Sequence, residues 1–193
     1  MKREFLKTGD GSFTIHLPDW DEQYHSKHGA IVEAKHVFIE AGLQFFISEF
    51  PSEAVAILEI GFGTGLNALL TAMSAEAREL PIYYTGVEAY PVIPSEVKKL
   101  NYCELLGVPT NSFLEIHGIP WEKPAMISKY FTLHKEKKFF KDIKAVNQFD
   151  LIFFDAFGAR VQPELWTESI FEIMFDAMKE EGCLLYTSPS PRD

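Results

Sequence analysis

The stretch EIGFGTGLNALL (59–70) constrains the fold more than any other part of the chain. An apolar run, VAILEI (55–60), ends in three glycines within five positions, Gly61, Gly63 and Gly65. A helical pattern, TGLNALLTAMSAEARE (64–79), follows at once. Strand, glycine turn and helix in this order open a βαβ unit. Glycine admits positive φ and lets a ligand approach bare backbone. The first turn of the helix leaves N–H groups without intrahelical partners, which suits a carboxylate or a phosphate.

The remaining sequence keeps that rhythm. IYYTGVEAY (82–90) reads as a strand and PSEVKKLNYCELL (94–106) as a helix opened by Pro94 and Ser95. Residues 107–128 read as irregular, and YFTLHKEKKFFKDI (130–143) as one or two strands. FDLIFFDAF (149–157) reads as a buried strand, and PELWTESIFEIMFDAMKEE (163–181) as a helix with proline in its first turn. Alternating strands and helices predict an α/β fold with a mainly parallel sheet. In such a sheet the ligand lies beyond the carboxyl ends of the strands where strand order reverses. The chemistry is therefore expected just after Ile60, Val87 and Phe154. Ahead of the core, REFLKTGDGSFTIHLP (3–18) predicts a hairpin around Asp10-Gly11. A helical pattern runs from Asp21 to about Phe50, with Gly29 and Gly42 expected to break it. Residues 1–50 are thus a hairpin and helical cap, and 51–182 the core.

Composition narrows the class. With 193 residues, 47% apolar and 24% charged, the chain is of single soluble domain type. No stretch approaches the ~20 apolar residues of a membrane span, and MKREFLKTGDG lacks the apolar centre of a secretory signal. Cys103 and Cys183 are too few for a disulfide framework or a zinc cluster. The expectation is a cytoplasmic protein with no membrane and no metal. A formal charge of −10 opposes general nucleic-acid binding. Residues 129–144, however, hold six lysines against Glu136 and Asp142, a local +4. That run fits a phosphate backbone as well as it fits a solvated hairpin.

The last eleven residues, CLLYTSPSPRD, match the in-frame translation of a common transposase sequencing adapter. Cys183–Asp193 are read as such an artefact and set aside from functional argument. The natural chain is then expected to be interrupted at about Gly182, leaving Cys103 as its one native cysteine, in a buried or half-buried helical position.

A dinucleotide loop of form G-x-G-x-x-G would place its third glycine at 66, where this chain has Leu66. The spelling E-x-G-x-G-x-G instead favours S-adenosylmethionine. Glu88, at the end of the second strand, is suited to accept both ribose hydroxyls. Glu59 faces the same crevice, Asn67 sits in the first helical turn, and Asp142 is a weaker candidate for the adenine amino group. Asp155 ends an otherwise apolar strand, where an unpaired carboxylate is costly to bury. It is suited to hold a cofactor ammonium or a substrate amine. Phe157 beside it is suited to stack on a planar substrate, or to fill core. Two rivals stay open on these residues: a small-amine methyl or aminopropyl transferase, and a non-catalytic RNA- or cofactor-binding module.

DGSFT (10–14), EQYHSKHGAIVEAKHVF (22–38), LEIGFGTGLNALLTA (58–72), VEAYP (87–91) and FDLIFFDAFGARVQPELWTESIF (149–171) occur in an order that resembles a known family. It is the methyltransferase domain of the bacterial tRNA wobble-uridine enzymes (MnmC), including their stand-alone form without an oxidase domain. The resemblance implies a class I, Rossmann-like fold with an N-terminal cap, here ending after about the fourth or fifth strand. It implies methyl transfer from S-adenosylmethionine to the 5-aminomethyl group of 2-thiouridine at the tRNA wobble position. By matching motif Glu59, Gly61, Gly63, Gly65, Asn67 and Glu88 would hold the cofactor, and Asp155 and Phe157 would face the substrate. Tyr24, His25, Ser26, Glu33 and His36 fall in the block expected to close over the site. Implied partners are the tRNA anticodon loop and a separate FAD-dependent oxidase that supplies the amine. Without the family's later strand, helix and hairpin, this segment is expected to be poorly stable or inactive.

Overall fold

The computed structural model describes residues 2–186. Three short antiparallel strands open the chain: β1 (Glu4–Lys7), β2 (Phe13–Leu17) and β3 (Glu22–Gln23). The predicted turn between β1 and β2 is present, with Gly11 at φ 87°. Asp10 makes it more than a turn. Its Oδ1 accepts from the Thr8 hydroxyl at 2.8 Å and from the Ser12 amide at 3.0 Å. Its Oδ2 accepts from the amides of Ile31 and Val32 at 3.0 and 3.1 Å, so the hairpin caps the first helix. Partial burial works against its ionisation, yet the donors from Ser12, Thr8 and Val32 prevail and hold Asp10 down to about 2.

That helix runs as α1 (Ala30–Ala34), a π-helical segment (Lys35–Gln44) and α2 (Phe45–Glu49). Gly29 marks its start as expected. Gly42 does not break it. A Cβ on Gly42 would lie 3.2 Å from the Leu185 side chain, so the bare position serves close packing instead. Ile31, Phe38, Leu43 and Phe46 bury one face, and Phe38 meets Phe153 at 5.0 Å between ring centroids.

The core follows as β4 (Val55–Ile60), α3 (Leu66–Arg78), β5 (Ile82–Val87), α4 (Pro94–Val97), α5 (Tyr102–Leu106), α6 (Thr110–Gly118), β6 (Ala125–Ser128) and β7 (Phe131–Glu136). A 3₁₀ turn (Phe140–Asp142), β8 (Phe149–Phe154), a second 3₁₀ turn (Pro163–Leu165), α7 (Glu168–Ala177) and β9 (Met178–Tyr186) complete it. The sheet order is β6-β7-β5-β4-β8-β9, with β6 antiparallel and the others parallel. In the middle of the sheet, β5 and β8 flank β4 in level register: Ile60 pairs with Val87 on one side and with Phe154 on the other. The residues that leave these three strands therefore emerge at one edge.

Several elements differ from the sequence reading. The helix expected over 94–106 divides into α4 and α5, because Asn101 turns its side chain to the hairpin. It accepts from the Phe13 amide at 2.8 Å and donates to the Gly11 carbonyl at 3.1 Å. The irregular 107–128 contains α6. The helix expected over 163–181 is confined to α7, and the chain passes directly into β9. The expected boundary at Gly182 falls inside β9, whose Cys183, Leu184, Leu185 and Tyr186 pair with Leu151–Phe154 and cover the edge of β8. Of the segment read as adapter-derived, residues 187–193 lie outside the described residues.

Gly86, paired with Lys135 across β5 and β7, provides the berth for the Phe62 ring. A Cβ there would stand 2.3 Å from Phe62 Cδ2. Gly86→Ala is expected to cost about 1–3 kcal/mol through overpacking, read as a lower urea midpoint with an unchanged m-value.

Candidate active site

The glycine turn takes the shape its residues allow. Gly61, Gly63 and Gly65 all have positive φ, at 89°, 48° and 75°. The amides of Gly61 and Phe62 both donate to the Val87 carbonyl at 3.0 Å, and Gly65 donates to the Phe62 carbonyl at 2.8 Å. A Cβ on Gly61 would stand 2.4 Å from the Asp155 carbonyl oxygen. Only glycine lets the end of β4 pass that close to the end of β8.

Three acids converge on this turn. Glu59, in the last full turn of pleat of β4, is 1% exposed. Asn67, in the first turn of α3, donates both hydrogens of its amide: to Glu59 Oε1 at 2.9 Å and to Asp155 Oδ2 at 2.9 Å. Glu88 caps the turn from the other side, its Oε2 accepting from the Gly63 amide at 3.0 Å and its Oε1 from the Tyr90 amide at 2.8 Å. Burial, and then the negative charge of Asp155, push Glu59 well above the ordinary carboxylate range. Among the described residues, Asn67 Oδ1 is a buried acceptor with no protein donor, while the buried Tyr84 hydroxyl lies against the Glu59 carboxyl.

A cleft of about 1520 Å³ opens above the acids. Its opposite wall comes from the N-terminal cap. Phe157 packs edge-on against Tyr24 at 5.0 Å and Trp20 at 5.7 Å. Arg160 fastens the Phe157 loop to the cap, donating to the carbonyls of Trp20 and Asp21 at 3.2 and 2.9 Å and to Glu22 Oε2 at 3.0 Å. Ser26 lines the cleft, its amide held by Glu33 Oε2 at 2.7 Å. His25 is buried, and its Nε2 lies 2.8 Å from the Thr64 hydroxyl at the tip of the glycine turn. Burial holds His25 down to about 4.

The structure thus gathers Glu59, Gly61, Gly63, Asn67, Glu88, Asp155, Phe157, Tyr24, His25, Ser26 and Glu33 around one cleft. It does not bring three other candidates there. Asp142 is exposed in the 3₁₀ turn after β7 and does not line the cleft. His36 lies on the outer face of the helix, 3.5 Å from Glu40, because its face of the π-helical segment points to solvent. Gly65 turns its bare side to His117 rather than to the cleft. The lysine run is also divided: Lys135 is 1% exposed, and Lys138 pairs with Glu136 at 3.0 Å. Glu136, His134 and Glu122 group their polar atoms within 4.8 Å of one another away from the cleft, and Lys138 already supplies a cation there. Trp20, Arg160 and the exposed pair Tyr90–Phe139, at 6.0 Å, also line the cleft. The sequence carried no periodic signal for them, since each sits in a turn or loop.

The donor set says what fits. A pyrophosphate on this turn would face the acids Glu88 and Asp155, a like-charge encounter. A ligand with an ammonium, a sulfonium and ribose hydroxyls meets these acids favourably and finds the buried Asn67 Oδ1 unfilled. S-adenosylmethionine has these groups, and the residues fit it.

Comparison with known proteins agrees. Residues 130–191 match a family described as S-adenosyl-L-methionine-dependent methyltransferases. The bifunctional protein MnmC of tRNA 5-methylaminomethyl-2-thiouridine biosynthesis from Hydrogenovibrio crunogenus is 24% identical over 165 residues, covering 79% of this chain and 24% of that protein. Its namesake from Leptospira interrogans is 28% identical over 183 residues, covering 86% and 27%. The chain therefore spans about a quarter of the length of these relatives. The crystal structure of MNMC2 from Aquifex aeolicus superposes with a TM-score of 0.75 at 23% identity, over 98% of this chain and 61% of that one. The fold is the Rossmann-like methyltransferase fold, and the resemblance read from the sequence motifs holds.

Two outcomes follow from the burial of these groups. Ionised Glu59 opposes folding at neutral pH, because its carboxyl is held above its unfolded value. Glu59→Gln is expected to raise the melting temperature at pH 7.5 while weakening binding of S-adenosylhomocysteine by about ten-fold, measured by calorimetry. Neutral His25 acts in the opposite sense. With its folded value near 4 against an ordinary 6.5, its contribution is complete above pH 6.5 and is lost as pH falls towards 4. His25→Gln is expected to flatten the fall of melting temperature across that window.

Proposed function

We propose that this MnmC-like methyltransferase domain, with S-adenosylmethionine as its cofactor, methylates the 5-aminomethyl group of 2-thiouridine at the tRNA wobble position. The observation that carries the reading is the Asn67-bridged pair of Glu59 and Asp155 at the glycine turn, with Phe157, Tyr24 and Trp20 beside Asp155. The acids suit a cationic cofactor and an amine, and the aromatic group suits a planar base. The named activity of the MnmC relatives supports the choice of substrate.

When bound, S-adenosylmethionine supplies an electrophilic methyl group on a sulfonium. Glu88 accepts ribose hydroxyls with lone pairs not used by Gly63 and Tyr90. Asn67 Oδ1, beside Glu59, would hold the amino-acid end. Asp155 receives the substrate amine. An alkyl ammonium has an ordinary pKa near ~10, like lysine, and must lose a proton before it can attack. Asp155 orients the nitrogen through hydrogen bonds and takes that proton onto its carboxylate or passes it to water. The deprotonated nitrogen held at Asp155 would be the acceptor of that methyl group, and Asp155 or water would take the second proton that the methylated amine releases. Phe157, held between Trp20 and Tyr24, stacks on the base, which leaves the anticodon loop readily because the loop is single-stranded. Lys27 and Arg160 at the mouth, with exposed Lys137 and Lys141 beyond Phe139, contact the RNA backbone. A separate FAD-dependent oxidase supplies the free amine, and the setting is the cytoplasm.

The test is transfer of a labelled methyl group to tRNA that lacks only the last modification step. Asp155→Asn is expected to lower kcat by about 10²-fold or more, with the KM for S-adenosylmethionine changed only a few-fold. Transfer to free small amines in place of tRNA would contradict the RNA reading. Full methylation by Asp155→Asn would remove Asp155 from the chemistry.

A further inference from the structure

Lys135 has no part in the steps above, yet it is one of the most deeply buried side chains, at 1% exposure. It projects from β7 beneath the glycine turn, in register with Gly86. Its Nζ donates to the His117 carbonyl at 2.7 Å. The same ammonium lies 5.0 Å from the ring centroid of Trp121 and 5.9 Å from that of Phe62, the residue between Gly61 and Gly63. A buried ammonium is costly unless its donors find partners, and here the partners are a carbonyl and two aromatic faces.

The contacts continue upward. His117 Nε2 donates to the Thr64 carbonyl at 3.0 Å, and its ring packs edge-on against Phe62 at 5.8 Å and Phe113 at 4.7 Å. On the other side of Thr64, its hydroxyl meets His25 Nε2 at 2.8 Å and the Tyr102 hydroxyl at 3.4 Å. Both sides of the turn are thereby tied: Phe62 by Lys135 and the berth at Gly86, and Thr64 by His117, His25 and Tyr102.

We propose that Lys135 is a positioning residue for the cofactor-binding turn, acting through His117 and Phe62 on Gly61–Gly65. A turn with three glycines has a high entropy of disorder, and the cofactor must meet it already shaped. Lys135 and His117 hold that shape before the ligand arrives. The proposal rests on the reading of this turn as the S-adenosylmethionine site, and it adds a residue that touches neither cofactor nor substrate.

The decisive variant is Lys135→Met, which keeps length and apolar stem and removes the ammonium. Amide exchange of peptide 61–66, followed by mass spectrometry without ligand, is expected to accelerate about ten-fold, with the β1–β2 hairpin unchanged. The dissociation constant for S-adenosylhomocysteine is expected to rise about ten-fold, with kcat at saturating cofactor nearly retained. His117→Ala is expected to reproduce both effects, and the double variant to add little to either. Unchanged exchange in 61–66, or equal acceleration throughout the chain, would overturn the proposal. If Lys135→Met does not fold, Trp121→Leu removes the stacking partner from outside the sheet and is held to the same two outcomes. Absence of S-adenosylhomocysteine binding by the unsubstituted chain would instead defeat the cofactor reading, while the exchange measurement would still decide the role of Lys135.

Discussion

Three carboxylates brought to one edge of a parallel sheet set the terms for everything around them. Glu59, Glu88 and Asp155 come from neighbouring strands, and strand order alone puts them together. Such a group is repulsive unless donors and a cation meet it. The protein supplies donors: the side-chain amide of Asn67 for two of the acids, and the amides of Gly63 and Tyr90 for the third. Acids at this edge suit a positively charged nucleoside better than a dinucleotide phosphate, although both ligand types use glycine turns at this place in related folds.

The glycine turn and the acid cluster depend on one another. The close approach of Gly61 to the Asp155 carbonyl is what brings the ends of β4 and β8 near enough for Asn67 to span both acids. Positive φ at three positions makes the approach possible and leaves the turn weak in its own right. Its stiffness comes from outside, from Lys135 and His117 below and His25 beside it. The N-terminal cap has two duties in this arrangement. Through His25 it braces the turn, and through Trp20 and Tyr24 it closes the aromatic side of the cleft against Phe157. Asp10 ties the hairpin to the first helix and Asn101 binds that hairpin to the core, so cap and core are one packed body.

Much of this was legible in the chain. Ile60, Val87 and Phe154 end the strands as their apolar runs indicate, and the acids that follow them face one cleft. The motifs carrying the family resemblance lie in that cleft or in the cap over it. What failed to show were features decided by long-range partners. Gly42 reads as a helix breaker, but the packing of Leu185 makes it a contact point in a continuous helix. Lys135 reads as one of six lysines in a run suited to a phosphate backbone or a solvated hairpin, but strand alternation and two aromatic rings bury it. His36 falls within a family-like motif and Asp142 within the strand-like run after β5, yet neither lines the cleft, because the phase of a π-helical segment and a short 3₁₀ turn set their places.

The sequence by itself determined the order of strands and helices, the glycine turn and the acids at strand ends, because apolar periodicity and glycine's freedom at positive φ are local properties. Only the tertiary structure decided that Asn67 would bridge Glu59 and Asp155, that Trp20, Tyr24 and Phe157 would form one wall, and that a buried lysine would stand beneath the turn. Asp155 and Phe157 join these groups from scores of positions away, and strand register, which no local pattern encodes, sets the distances between them.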